Sequence, residues 1–330
     1  MTNPHSFTRN LVRLYFCENM RFARSRKVED LACKWTAIGL RQDSIYKSGV
    51  ENSLLSMEGK VVLITGATRG IGRSGAIRLA GLGARLILVG RHRGRLEEVA
   101  RLSRQAGSPE VAIYVVDLSL RKEVMDLVEK LIARWEKLDV LWNNAGGYFT
   151  ERRVTKEGLE RTWALNHIAY VDLTQGLIPL LEKSEDPRVI CTASEAHRMG
   201  VLRWDNLQGE RSWNGWKAYC LTKLANILYV AEQGRRLDES KIRICAVHPG
   251  LVNSALGDEN QGLSGVAFRL LKLFFGKTNE EGADTAVWLA SQTSRPTQGA
   301  YYAYRKERIP KAPAQSLQNA QQLWEMSQRA

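Results

Sequence analysis

The sequence predicts a single doubly wound α/β domain with a parallel sheet of about seven strands, preceded by a basic N-terminal extension. From residue 58 onward, short continuous apolar runs alternate strictly with stretches of helical period, and short connections join them. Such alternation is typical of parallel strands covered by helices on both faces. No internal repeat or low-complexity tract interrupts the pattern, so residues 58–330 are predicted to form one domain.

Each predicted strand is a short apolar run, as expected for a strand buried on both faces of its sheet. The first run is residues 61–64, and the others resemble it. The helices follow from apolar residues at helical spacing, as at Val124, Leu127 and Leu131. The predicted strands cover residues 61–64, 85–89, 111–116, 140–142, 189–191, 242–247 and 301–303, and the predicted helices cover 71–82, 96–102, 124–135, 159–181, 219–237 and 281–290.

Composition excludes several classes of protein. Of 330 residues, 44% are hydrophobic and 25% are charged, which is ordinary for a globular domain and excludes a fully disordered chain. No apolar stretch approaches the roughly 18 residues that a membrane span needs. The five cysteines are scattered and form no Cys-x-x-Cys pair, so we expect neither a disulfide framework nor a metal site. A reducing compartment, and hence a cytoplasmic location, is the expectation.

The net charge is +13, which raises the question of an anionic partner. The basic residues are spread along the chain and form no tract with interleaved aromatic residues, so we expect no nucleic-acid binding. Anionic small molecules or an anionic membrane surface are the better match to this charge. Peripheral membrane contact is therefore retained as an expectation.

Residues 1–57 differ in character from the rest of the chain. Residues 1–27 carry several arginines and a single acid, Glu18, with apolar residues that suit one face of a helix. An Arg-rich, acid-poor amphipathic start is typical of a mitochondrial transit peptide. The alternatives are a partly ordered extension and sequence upstream of a start at Met57. The segment is left out of the fold prediction.

A glycine-rich loop joins the first predicted strand to its helix. Gly66 permits the tight turn, while Gly70 and Gly72 allow close approach of a pyrophosphate and close packing of helix on strand. The helix N-terminus adds unpaired N–H groups and a positive dipole end. Because no Gly-Lys-Ser/Thr follows, an ATP-type loop is disfavoured. The loop predicts a dinucleotide site that includes Gly66, Thr68, Arg69, Gly70, Ile71 and Gly72.

The end of the second strand indicates which dinucleotide binds. An acid there would hold the ribose 2′-hydroxyl of NAD(H), but the sequence has Gly90-Arg91-His92-Arg93. Arg69 and Arg91 together suit a 2′-phosphate, because guanidinium groups pair phosphates well. The prediction is therefore NADP(H). The alternative is that Arg91 and Arg93 are only solvated turn residues.

Three further signals lie downstream: Asn143-Asn144-Ala145-Gly146 after the fourth strand, Ser194 after the fifth, and Tyr219 with Lys223 in the following helix. Residues four apart share one helix face. Combined with the glycine loop, these motifs resemble the short-chain dehydrogenase/reductase family over about residues 58–330. The resemblance implies a Rossmann fold and an oxidoreductase.

The resemblance also implies roles for individual residues. Tyr219 would be the acid/base, Lys223 would hold the nicotinamide ribose, Ser194 would polarise the substrate carbonyl, and Asn166 would support a proton relay. The remaining residues that it assigns to the cofactor are Asp117, Leu118, Asn144, Ala145, Gly146, Pro249 and Gly250.

Physical chemistry constrains the role of Tyr219. A phenol with a pKa of ~10 is a poor base at neutral pH. A nearby ammonium and an oxidised nicotinamide both favour the phenolate, so we expect the pKa of Tyr219 to be lowered towards the working range. His197 and His248 are not required by a cofactor-based mechanism, and we expect both to be structural.

The motifs around Ser194 and Tyr219 look like those of the retinol-dehydrogenase-like branch, as does the run from Lys277 to Thr285. That branch implies small lipophilic substrates: retinoids, steroids, lipid aldehydes or xenobiotic ketones. Residues 251–277 are the expected substrate lid, rich in Leu and Phe, with core packing as the alternative. The family also implies a homo-oligomer.

Two other functions are considered. One is a cofactor-binding scaffold or regulator with little catalysis. The other is a sugar-nucleotide epimerase or dehydratase, which is disfavoured because those proteins usually have a larger C-terminal lobe.

Overall fold

The computed structural model describes residues 55–250, 252 and 278–329. The targeting hypothesis for the N-terminal extension therefore lies outside the described residues. So does nearly all of the expected lid, of which only Val252 is described.

The described residues form alternating strands and helices in the predicted order. The strands are β1 (Val61–Thr65), β2 (Arg85–Gly90), β3 (Val111–Val115), β4 (Val140–Asn143), β5 (Arg188–Thr192), β6 (Arg243–His248), β7 (Tyr301–Ala303) and β8 (Lys306–Arg308). The helices are α1 (Gly70–Gly81), α2 (Arg93–Ala106), α3 (Arg121–Arg134), α4 (Arg161–Trp163), α5 (Ala169–Gly176), α6 (Ile178–Leu181), α7 (Gly215–Arg236), α8 (Asn279–Ser291) and α9 (Leu317–Gln328), with a π turn (Ala164–Ile168) and 3₁₀ turns (Glu195–Met199 and Ala312–Gln315).

The strands form one sheet in the order β3-β2-β1-β4-β5-β6-β7-β8. The first seven strands are parallel, which confirms the predicted doubly wound α/β class. The chain moves outward from β1 to β3 and then crosses to β4 on the other side of β1. In open α/β sheets the carboxyl ends of the strands at such a reversal form the ligand crevice.

The eighth strand was not predicted, and its composition explains why. β8 consists of Lys306, Glu307 and Arg308, all exposed, so it carries no apolar signal. It pairs antiparallel with β7 through a tight turn in which Tyr304 and Arg305 adopt φ of 56° and 55°. Turn geometry, rather than burial, therefore forms this strand.

Side chains alternate across the sheet and build one apolar layer on each face. Val61 and Leu63 of β1 join the layer beneath α3, α5 and α7. Val62 and Ile64 join the opposite layer beneath α1, α2 and α8. All four are buried. Such strands read as continuous apolar runs because neither face contacts water.

The predicted helix over residues 159–181 is interrupted. It is divided into α4, the π turn, α5 and α6. The break before α6 coincides with Pro179, which lacks the N–H that a continuing helix needs. The π turn contains Asn166 and is a local widening of the helix.

The C-terminal helix α9 was not predicted. Its start is marked by Ser316, whose hydroxyl accepts a hydrogen bond from the Asn319 N–H at 3.2 Å. Its buried face, Ala320, Leu323 and Ser327, packs on α7. The apolar periodicity that would predict this helix is weak, because one small and one polar residue share its buried face with a single leucine.

The predicted boundary between residues 57 and 58 needs correction. Met57 is buried, and its N–H donates to the carbonyl of Leu82 at 2.7 Å. The N–H of Leu55 donates to the carbonyl of Ser291 at 3.2 Å. The folded domain therefore includes residues 55–57, because contacts from α1 and α8 reach upstream of β1.

Gly75 of α1 offers a stability prediction. A Cβ at this position would overlap the indole ring of Trp142, which is fully buried in β4. Gly75→Ala is expected to lower the free energy of unfolding by about 1–3 kcal/mol, although alanine favours a helix. Gly81→Ala, in the same helix with its nearest atom at 3.7 Å, is the matched control and should be neutral or stabilising. Equal unfolding midpoints in urea for the two variants would contradict this packing argument.

Candidate active site

The glycine loop between β1 and α1 is packed too tightly for side chains. Gly66 has φ of 66°, and a Cβ there would lie 2.8 Å from the Cα of Ala145. A Cβ on Gly72 would lie 2.5 Å from the carbonyl oxygen of Gly66. Gly70 has φ of 60°. The loop therefore brings bare backbone to the carboxyl edge of the sheet.

The N-terminus of α1 suits an anion. Arg69 precedes the helix without a side-chain cap, and the first turn contains no acid. The first N–H groups of a helix have no partner within the helix, and their dipole favours negative charge. Thr68 lies beside Gly90 at the end of β2, where an added Cβ would be 2.7 Å from its Cγ2. The residues present thus fit a dinucleotide pyrophosphate.

Thr65 ties the glycine loop to the segment after β4. Its hydroxyl accepts hydrogen bonds from the N–H groups of Asn144 at 2.8 Å and Ala145 at 2.9 Å. The Asn144 amide donates to the Thr65 carbonyl at 2.9 Å. The Ala145 carbonyl in turn accepts from the buried Tyr170 hydroxyl at 2.9 Å. No role for Thr65 is predicted from the sequence, although a hydroxyl residue immediately before the glycines is a visible signal.

The residues predicted to contact the nucleotide lie at the same edge. Arg91 is exposed directly after β2. Asp117 follows β3, and its Oδ1 accepts from the Ser119 N–H at 3.0 Å and the Ser119 hydroxyl at 2.7 Å. Leu118 is buried. The Asp117 carboxylate is therefore held in one orientation.

Ser194 and Tyr219 meet beyond β5. Tyr219 is 6% exposed, and burial raises its pKa to about 12, while a hydrogen bond with the Ser194 side chain opposes that rise. This direction is opposite to the lowered pKa expected from the sequence. In the chain alone, removal from water has a larger effect than this hydrogen bond, because a phenolate loses its hydration on burial. At neutral pH the phenol keeps its proton.

Lys223 lies one turn after Tyr219 on α7. Its Nζ donates to the carbonyl of Thr192 at 3.0 Å and lies 5.6 Å from the centroid of the Tyr219 ring. The side chain is 3% exposed, and burial lowers its pKa to about 8, with Cys191 opposing that shift. A Cβ on Gly146 would lie 3.6 Å from Nζ. The ammonium therefore faces the loop that follows β4.

Asn166 clamps that loop from the π turn. Its Oδ1 accepts from the Gly147 N–H at 2.8 Å, and its Nδ2 donates to the Gly147 carbonyl at 2.9 Å and to the Thr222 hydroxyl at 3.2 Å. The side chain is fully buried. Asn166 thus joins the segment after β4 to α7, and its contacts are to protein groups.

Two aromatic side chains flank Tyr219. Trp216 stacks on the Tyr219 ring at 5.8 Å between centroids and 22° between planes. Tyr148 meets it edge-on at 6.2 Å. Both are half-buried. The sequence predicts neither the direction of the Trp216 side chain nor the position of Tyr148, because no local pattern places either ring beside Tyr219.

The two histidines near the site make hydrogen bonds to backbone. The Nδ1 of His197 lies 2.7 Å from the Ser194 carbonyl, and its Nε2 accepts from the Lys311 N–H at 3.2 Å. The Nδ1 of His248 accepts from the N–H groups of Glu195 at 3.2 Å and Gly250 at 3.3 Å. These bonds agree with the expected structural roles.

The remaining predicted cofactor residues, Pro249 and Gly250, follow β6 directly. Gly250 has φ of 88°, a backbone conformation that favours glycine. Two residues later, Val252 is buried, and a Cβ on Gly282 of α8 would lie 2.6 Å from its Cγ2.

Across the described ranges, no group of three or more His, Cys, Asp or Glu side chains is arranged to hold a metal. Likewise, none of the described helices combines the length and apolar character of a membrane span.

Comparisons with known proteins identify the family of this chain. The family model for short chain dehydrogenases matches residues 60–262. Human retinol dehydrogenase 14 is 35% identical over 291 residues, which cover 82% of this chain and 86% of the relative. A putative daunorubicin C-13 ketoreductase of Streptomyces sp. (strain C5) is 35% identical over 276 residues, covering 83% of this chain and 93% of the relative.

Solved structures share the fold. An uncharacterized protein from Mycobacterium paratuberculosis aligns with a TM-score of 0.69 and 26% identity, covering 86% of this chain and 97% of that one. A putative short chain dehydrogenase of Escherichia coli CFT073, complexed with NADPH, aligns with a TM-score of 0.60 and 23% identity, covering 75% of this chain and 97% of that one.

The chain therefore belongs to the short-chain dehydrogenase/reductase family, whose members are oxidoreductases that use nicotinamide cofactors. Within that family it lies in the retinol-dehydrogenase-like branch. The family and branch that the sequence motifs suggested are both confirmed.

Proposed function

We infer that this protein is an NADP(H)-dependent oxidoreductase that interconverts a small lipophilic carbonyl compound and its alcohol, with Tyr219 as the acid/base. The observation that carries this function is the contact of Ser194 with Tyr219, one helical turn from Lys223. A donor, a proton source and a cation thus converge at the carboxyl edge of the sheet, beside the glycine loop.

The cofactor would lie along that edge. The bare backbone of Gly66 and Gly72 and the N-terminus of α1 suit the pyrophosphate. Asn144, Ala145 and Gly146 would line the groove, and Lys223 would bind the nicotinamide ribose. When bound, the nicotinamide supplies or accepts the hydride at the carbonyl carbon.

The protein's own residues handle the proton. In reduction, Ser194 donates a hydrogen bond to the carbonyl oxygen, and Tyr219 donates its proton to the same oxygen as negative charge develops. Because burial raises the pKa of Tyr219 to about 12, the phenol enters this step protonated. Below a pH of about 8, Lys223 is positively charged and stabilises the phenolate that remains.

Aromatic side chains support a lipophilic substrate. Trp216 and Tyr148 present half-buried rings beside the proton donor, which favours contact with an apolar molecule. The relatives named retinol dehydrogenase and daunorubicin C-13 ketoreductase point to the same substrate class. The assignment is tested by screening hydrophobic aldehydes and ketones with NADPH and following the loss of its absorbance. No turnover across the panel, or turnover confined to sugars and hydroxy acids, would reject it.

Arg91 is expected to set the preference for the phosphorylated cofactor. NADPH should raise the melting temperature more than NADH at equal concentration, because a ligand that binds the native state stabilises it by mass action. Arg91→Asp should reduce or reverse this difference, since a carboxylate repels the 2′-phosphate and accepts from a 2′-hydroxyl. Arg93→Asp, two residues away at the start of α2, is the control and should keep the preference. Equal shifts with both cofactors in the unaltered protein would overturn the NADP(H) assignment.

A further inference from the structure

The Thr192 carbonyl, which accepts from Lys223, has a second donor. Asn226 lies one turn further along α7, and its Nδ2 donates to the Thr192 carbonyl at 3.3 Å and to the Asn166 carbonyl at 3.0 Å. Asn226 is 1% exposed. One amide group therefore links the end of β5, the π turn and α7. Ser194 follows that end of β5, Asn166 lies in the π turn, and Tyr219 lies on α7.

The orientation of the Asn226 amide follows from its acceptors. Both N–H bonds of Nδ2 point at carbonyl oxygens, so Oδ1 must face the other way. There it lies 3.1 Å from Nδ1 of His167. Because an amide oxygen only accepts, His167 is assigned the tautomer with its proton on Nδ1. The imidazole thus holds the amide in the one orientation that serves both carbonyls.

His167 is in turn supported by the C-terminal helix. In this tautomer its Nε2 carries no proton and accepts from the hydroxyl of Ser327 on α9, which lies 2.8 Å away. The Leu323 carbonyl, also 2.8 Å from that hydroxyl, competes for the same proton. His167 and Ser327 are both buried. A continuous run of hydrogen bonds therefore joins α9 to the carbonyl that orients Lys223.

We propose that Asn226 is a positioning residue for the reaction: it fixes the Thr192 carbonyl that aims the Lys223 ammonium, and His167 fixes Asn226. This inference rests on the proposed function for its catalytic meaning. A buried amide with every donor and acceptor satisfied is rigid, and a rigid acceptor restricts the ammonium to one place. Asn226 itself contacts no reacting atom.

Gln298 provides a matched control. Its Oε1 accepts from the Ile244 N–H at 2.9 Å, and its Nε2 donates to the carbonyls of Leu237 at 3.2 Å and Ile242 at 3.0 Å. This amide has the same number of bonds as Asn226 and none to the site. Asn226→Leu and Gln298→Leu therefore remove equivalent sets of hydrogen bonds in two places.

The first measurement does not depend on turnover. The titration of Lys223 is followed in the full chain by NMR of ¹³Cε-labelled lysine, with the signal assigned by its loss in Lys223→Met. Asn226→Leu is expected to raise the Lys223 midpoint by about half a pH unit or more, because the Thr192 carbonyl then serves the ammonium alone. Gln298→Leu should leave it unchanged. Equal midpoints in Asn226→Leu and the unaltered protein, or equal shifts in both variants, would overturn the proposal.

Turnover with NADPH and the accepted carbonyl is the second measurement. Asn226→Leu should lower kcat roughly tenfold or more and shift the pH profile of kcat, because the Lys223 ammonium is no longer held in one position. His167→Leu should act in the same direction, while His167→Asn, which keeps a donor for Asn226, should restore both values. If Asn226→Leu does not fold, the two His167 variants provide the test. Identical Lys223 titration midpoints in His167→Leu and His167→Asn would refute the positioning role of Asn226. A responsive Lys223 in a protein that reduces no carbonyl would instead reject the proposed function alone.

Discussion

Tyr219→Phe is expected to lower kcat for carbonyl reduction by roughly 10²- to 10⁴-fold, the range typical of a lost general acid. The substitution removes one oxygen from a ring that Trp216 stacks against, so the shape of the site is kept. Because Tyr219 holds its proton at neutral pH, the unaltered protein has an acid in place and the variant has none. Steady-state rates with NADPH give kcat, and fluorescence titration gives the dissociation constant of NADPH, which should change little.

Tyr229→Phe is the matched control. Tyr229 lies on the same helix, α7, and is as deeply buried, but its ring contacts His167 rather than Trp216. Removal of the Tyr229 hydroxyl is expected to leave kcat near that of the unaltered protein. If Tyr219→Phe retained full kcat on every accepted substrate, another group would have to supply the proton, and the assignment of Tyr219 would fail.

His167 is expected to make the domain sensitive to acid. Burial lowers its pKa from 6.5 to about 4, with the hydrogen bond to Asn226 opposing the shift. Between these values the unfolded chain binds a proton that the folded chain does not, so the free energy of unfolding falls as the pH falls from 6.5 to 4. The difference of pKa corresponds to about 3 kcal/mol, present above pH 6.5 and lost near pH 4.

Urea unfolding at several pH values measures this contribution. Carboxyl groups also titrate near pH 4, so the decisive quantity is the difference between the unaltered protein and His167→Asn, which does not titrate. The variant should lose less stability across that pH range. His92→Asn, at an exposed position before α2, is the control and should follow the unaltered protein. Parallel curves for His167→Asn and the unaltered protein would show that His167 is not buried in its neutral form.

Periodicity and motif spacing predicted the parts of this protein that depend on local order. The runs at β1, β2 and β4 to β7 are mostly apolar because both faces of those strands are covered, and that property is visible without a structure. The run at β3 is equally apolar, although its Val115 is 41% exposed. The glycine loop is also local, since its turn and its tight packing require residues that lack a side chain. Tyr219 and Lys223 share a face because both lie on one helix.

The features of the site that could not be predicted from the sequence depend on contacts between residues far apart in the chain. The sequence predicts a lowered pKa for Tyr219 beside an ammonium and an oxidised nicotinamide, whereas burial raises the pKa in the chain alone. Burial depends on what packs around the ring, and no local pattern shows that. The contacts of Thr65 and Asn226 could not be predicted, because their partners lie 79 and 34 residues away. The interruption of the predicted helix at Asn166 serves the loop after β4, which only folding brings near.

The amino-acid sequence by itself therefore determined the doubly wound fold, the dinucleotide loop and the spacing of Tyr219 and Lys223, because each follows from the period of a helix or strand or from the absence of a Cβ. Only the tertiary structure decided which groups are buried from water, which carbonyl positions the Lys223 ammonium and which aromatic rings surround the Tyr219 phenol. Desolvation and hydrogen bonding between distant segments are properties of packing, and no local pattern of residues encodes them.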